Sequence, residues 1–165
     1  MVRKEKAFTL LELLVVLVLI GIVAAVVVPA ASGTESAQVA GAARILTADL
    51  EAAQATALAR QAETALVFNA TLTKYKVVLA DGQNLSDYGS LVALANPLQP
   101  GNAYEVVVAQ MSSPQVVVNS AFSPTKYITF DSFGSPTLSG SVVLTTQAAT
   151  LTVSVEAITG AVSVN

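Results

Sequence analysis

The hydrophobic pattern of the chain changes period twice. Residues 8–31 are apolar at 20 of 24 positions without alternation, the pattern of a membrane-crossing or signal helix. At about 1.5 Å per residue, residues 13–31 make a helix of roughly 29 Å, enough to cross the hydrocarbon layer. Val39, Ala43, Leu46, Leu50, Ala53 and Ala57 then recur at spacings of four and three, which predicts an amphipathic helix over 32–63 with one buried face. Small residues dominate that face, so a partner can approach the backbone closely, and a β-sheet of the same chain is the economical one. Arg44, Asp49, Glu51, Arg60 and Glu63 fall off the stripe and read as a solvated face. Ser32-Gly33-Thr34, following Pro29, is weak in helix propensity and predicts a bend or loosened turn.

After residue 63 the period shortens to two. Runs rich in Val, Thr, Tyr and Phe at 65–70, 74–80, 104–109, 115–119, 126–130, 141–145, 150–157 and 161–164 predict strands at hairpin spacing. Leu151, Val153 and Val155 alternate with hydroxyl residues, so that strand is half buried, and Thr159-Gly160 turns it into the last one. Residues 81–102 carry Gly and Pro breakers and read as a surface excursion with a short helical turn at 91–95. The fold class expected is α+β: a long N-terminal helix, transmembrane and then amphipathic, packed on an antiparallel β-sheet or β-sandwich domain over 64–165.

Composition removes most chemistry. The chain contains neither His nor Cys, which excludes imidazole bases, thiolate nucleophiles, disulfides and the usual zinc ligand sets. Asp81, Asp87, Asp131 and Glu156 are isolated acids, and Lys74, Lys76 and Lys126 accompany no Ser-Lys motif, so no enzyme activity, cofactor or metal is expected. Residues 81–87 hold two carboxylates and one Asn, too few for a calcium loop. Residues 32–165 carry five Lys or Arg against nine Asp or Glu, which argues against nucleic acid as a partner. Only 12% of the 165 residues are charged, and the apolar excess lies in the first 31: the remaining 134 residues are about 49% apolar, ordinary for a globular domain.

Arg3, Lys4 and Lys6 precede the apolar run and only Arg44 follows closely, so the positive-inside bias places the N-terminus in the cytoplasm and the domain across the membrane. A secretory signal peptide competes with an anchor here, since Val28-Pro29-Ala30 loosely meets a cleavage site. Glu12 fits neither, because a carboxylate inside an apolar segment costs up to about 2.5–3.5 kcal/mol and marks function by default; the structural alternative is that it snorkels to the headgroups.

The run Lys6-Ala7-Phe8-Thr9-Leu10-Leu11-Glu12-Leu13 resembles the processing signal of type IV pilins and of the pseudopilins of type II secretion. The resemblance implies a short basic leader, residues 1–7, which a prepilin peptidase cuts between Ala7 and Phe8 before methylating the new Phe8 amine. It makes 8–31 a transmembrane and assembly helix, Glu12 an assembly residue, and Pro29 the site of a helix kink. Ala7 stands where the family usually has Gly, so cutting is expected to be retained but slowed. The acid fits the physics: an ammonium at Phe8 and a carboxylate at Glu12, both in a low-dielectric setting, each need an opposite charge, and staggered neighbouring helices can supply it. Glu12→Ala is then expected to be processed and inserted but not assembled.

Tyr127-Ile128-Thr129-Phe130-Asp131-Ser132-Phe133-Gly134, with Gly140 and the closing Thr159-Gly160-Ala161-Val162, is similar to the C-terminal signature of the H-type minor pseudopilin and of related FimT-like and FimU-like minor pilins. Phe130 and Phe133 are read as core aromatics, and Gly134 and Gly160 as turn glycines. The resemblance implies a minor pseudopilin in a type II secretion filament, with a minor type IV pilin priming adhesion, motility or DNA uptake as the alternative. Its partners would be other pseudopilins or pilins, an inner-membrane assembly platform and the prepilin peptidase. Its place would be a single pass of the inner membrane with a periplasmic domain.

Overall fold

The structure, a computed structural model, describes residues 9–165, and within 24–33 the backbone alone. Ala7 and Phe8, the expected cleavage site, lie outside the described residues, as does the side chain of Pro29. The chain divides into two units, Met1–Thr34 and Glu35–Asn165. A single helix, α1 (Leu10–Arg60, 51 residues), contributes to both.

In the first unit, every large apolar side chain described from Leu10 to Val23 is 45–83% exposed. No helix among the described residues is long and apolar enough to cross a membrane; residues 10–23, whose side chains are described, make only about 21 Å of helix, short of a ~30 Å hydrocarbon layer. The loosened turn expected at residues 32–34 is absent, and α1 is assigned as unbroken helix through them. One Gly costs a helix only about 1 kcal/mol against Ala, which the strong formers on both sides offset.

In the second unit the stripe is buried as its spacing requires. Val39, Ala43, Leu46, Leu50, Ala53 and Ala57 are all at most 1% exposed, joined by Ala42. Each fully buried leucine there is worth about 2–5 kcal/mol against alanine. Eight strands follow: β1 (Thr64–Phe68), β2 (Lys74–Leu79), β3 (Glu105–Val107), β4 (Val117–Ala121), β5 (Tyr127–Phe130), β6 (Gly140–Thr145), β7 (Thr150–Val155) and β8 (Val162–Val164). They form two four-stranded sheets, ordered β3-β2-β1-β5 and β4-β6-β7-β8, and every pairing is antiparallel. The helix stripe, Leu66, Phe68, Tyr75 and Phe130 from the first sheet, and Val142, Leu144, Val153 and Val155 from the second share one core.

The first sheet is buried on both faces. Leu66 and Phe68 of β1 point into the main core, while Ala65 and Val67 meet a second cluster with Val78, Ala80 and Leu91, flanked by Leu85 and Tyr88. The 81–102 excursion therefore acts as a cover. Its segment 91–95 is extended, not helical: Ala93 bridges Val78, Ala95 bridges Ala103, and the Leu94 N–H donates to the Val77 carbonyl at 2.8 Å. Five residues gain more from pairing with the edge of β2 than from one isolated helical turn. Lys76 fastens the cover, its Nζ donating to the Tyr88 and Leu91 carbonyls at 3.2 Å each while sitting 4.5 Å above the Tyr88 ring. At the start of β6, Gly140 leaves room for Phe122, whose Cδ1 lies 2.6 Å from where a Cβ would stand.

Candidate assembly site

Thr9 starts α1. The Glu12 N–H donates to Thr9 Oγ1 at 3.2 Å and to the Thr9 carbonyl at 3.1 Å, so Thr9 is the N-cap and Thr9-Leu10-Leu11-Glu12 has capping-box spacing. The Thr9 hydroxyl therefore has a local helix-starting role that the apolar pattern had hidden. Glu12 itself is exposed, and among the described residues its carboxylate has no hydrogen-bond or ion-pair partner in the chain. It is set among outward-facing Leu10, Leu11, Leu13 and Leu14. This surface offers a neighbour apolar contact and one negative charge that no described residue compensates, an arrangement that becomes costly as soon as the helix leaves water.

The second unit holds α1 in register through three polar contacts that stripe analysis does not find. Asp49, expected on the solvated face, is buried. Its carboxylate accepts hydrogen bonds from Tyr75 of β2 and from Tyr104, the latter at 2.7 Å. Burial pushes the Asp49 carboxyl above its ordinary value, and the two hydroxyl donors partly offset that rise. Burial likewise raises both tyrosines, and the adjacent carboxylate adds to the effect. The signal lay in the spacing: Ala42, Leu46, Asp49 and Ala53 also fall four, three and four apart, so Asp49 belongs to the buried arc. Nearer the start of the unit, Glu35 accepts a 2.8 Å hydrogen bond from the Ala148 N–H at the β6–β7 turn. Near the end of α1, Gln54 Nε2 donates to the Gly134 and Thr159 carbonyls at 2.8 and 3.0 Å.

The remaining charged groups have local work. Asp131 Oδ1 accepts from the Phe133 and Ser135 amides at 2.9 Å, Asp87 Oδ1 from the Gly89 amide, and Glu156 from Thr159, each closing a turn. Asp81 is exposed beside Gly82. Lys74 and Lys76 pair with Glu105 at 3.3 and 3.9 Å, and Lys126 donates to the Ala70 carbonyl. Gly134 and Gly160 adopt φ of 78° and 69°, as turn glycines should. Phe130 is fully buried, but Phe133 is 83% exposed; the Asp131 turn carries it outward, so it is not a core aromatic. A cavity of about 570 Å³ lies between the 85–89 and 124–127 segments. Among the described residues no cluster of His, Cys, Asp or Glu could hold a metal ion.

Comparison with known proteins agrees with this architecture. No curated protein sequence matches the chain. Two crystal structures of the type IV minor pilin FimU of Pseudomonas aeruginosa share its fold. One has 14% identity and a TM-score of 0.50 over 75% of this chain and 85% of that one, and the other 15% and 0.51 over 75% and 90%. Residues 2–28 match the prokaryotic N-terminal methylation motif. Residues 42–160 match the family of the type II transport protein GspH, and since that match spans most of the chain, including the stripe of α1 from Ala43 onward and all but the last residues of the β domain, this protein belongs to the GspH family and is a minor pseudopilin.

Proposed function

We propose that this pseudopilin is inserted into the inner membrane by residues 8–31 with its N-terminus in the cytoplasm, cut between Ala7 and Phe8, and built into a short filament by the Phe8 amine and Glu12 of neighbouring subunits. The observation that carries this reading is the apolar first half of α1, outward-facing with one carboxylate that finds no partner among the described residues. Its match to a methylation motif supports removal of the leader. Cutting creates the cation that the carboxylate needs, so processing and assembly are coupled by charge, and pairing at a fixed stagger sets register as well as offsetting desolvation. The β domain is then carried into the periplasm. Prepilin peptidase, an inner-membrane platform and other pseudopilins are the partners this requires, and no chemistry is assigned to the chain itself.

A minor type IV pilin is the second reading, supported by the FimU-like fold. Deleting the gene separates the two. Loss of export of folded proteins through an outer-membrane secretin, with pili intact, fits the pseudopilin. Intact secretion with lost piliation, motility or DNA uptake replaces it with the pilin.

A further inference from the structure

We draw no further inference here: the strongest candidate, the cavity of about 570 Å³ between the 85–89 cover segment and the 124–127 segment, has its charged side chains Asp87 and Lys126 bonded to the Gly89 amide and the Ala70 carbonyl, and nothing in the structure shows what would occupy it.

Discussion

The hydroxyl of Tyr104 donates a 2.7 Å hydrogen bond to Oδ1 of Asp49, while Tyr75 donates to Oδ2 of the same carboxylate. One buried acid of α1 thus ties the helix to the strand region at the edge of the first sheet. Asp49→Ala leaves two hydroxyls without their acceptor in the core, at about 1–3 kcal/mol for each buried unsatisfied group. The expected loss is about 3 kcal/mol in denaturant unfolding, larger than that of Tyr104→Phe, which removes a single donor.

The same carboxylate gives a pH dependence with a definite sign. Its folded value is raised above 3.8, chiefly by burial. The protonated acid is the form the folded state favours, so this contribution to stability is full below 3.8 and is lost as pH rises through the folded value. The difference in unfolding free energy between the wild type and Asp49→Asn, measured from about pH 3.5 upward, should shift in favour of Asn as the pH rises. A difference independent of pH would show that Asp49 does not titrate in this way.

Close approach to α1 limits an ordinarily helpful substitution. In an open helix Gly→Ala gains about 1 kcal/mol, but a Cβ at Gly41 would stand 2.7 Å from Ser112 Oγ and 3.3 Å from its Cβ. Gly41→Ala should therefore gain less than that, since the Ser112 hydroxyl has to rotate aside and its Cβ has to give, and Ser112→Gly added to it should restore the full helix gain. The double-mutant coupling expected is at least about 0.5 kcal/mol.

At the other end of the domain, Gly160→Ala meets both an unfavourable φ of 69° and the Gln54 amide and Gly134 oxygen. The expected loss is about 2 kcal/mol, of which the left-handed backbone supplies roughly half. Gln54→Leu, which leaves the Gly134 and Thr159 carbonyls without their donor, should cost about 1–3 kcal/mol in the same unfolding assay.

Much of this fold is legible in the residue pattern because periodicity reports burial directly. All eight strands and the seam from Val39 to Ala57 lie where alternation and three-four spacing place them. Strand partners are less accessible: β5 pairs with β1, and β4 with β6, choices made by long-range packing that no local window contains. Asp49 was hidden by its own polarity, since a charged residue on the buried arc is read as exposed unless its tyrosine partners, 26 and 55 positions away, are known. The 91–95 segment and Phe133 failed for a related reason, since a backbone pairing decides the first and a side-chain-capped turn the second. Of the assembly site, Glu12 was conspicuous because a carboxylate interrupts an apolar run, whereas its capping relation to Thr9 emerges only from hydrogen bonding.

Processing offers an independent check. Ala7 occupies the position before the proposed cut, and Ala7→Gly should raise the rate at which the precursor becomes mature chain, followed by pulse-labelling and the mass difference of the leader. Equal rates would mean that the added methyl group is not sensed by the peptidase.

The central claim is that Glu12 joins this subunit to its neighbours by pairing with an amine that cleavage creates. Removing one partner of a buried ion pair costs about 3–5 kcal/mol. The most direct measurement is therefore the recovery of the mature chain with co-purified filament subunits, wild type against Glu12→Ala, after confirming that both are cut and membrane-inserted to the same extent. The account predicts that recovery falls by at least about a hundredfold for Glu12→Ala; recovery equal to the wild type would contradict it.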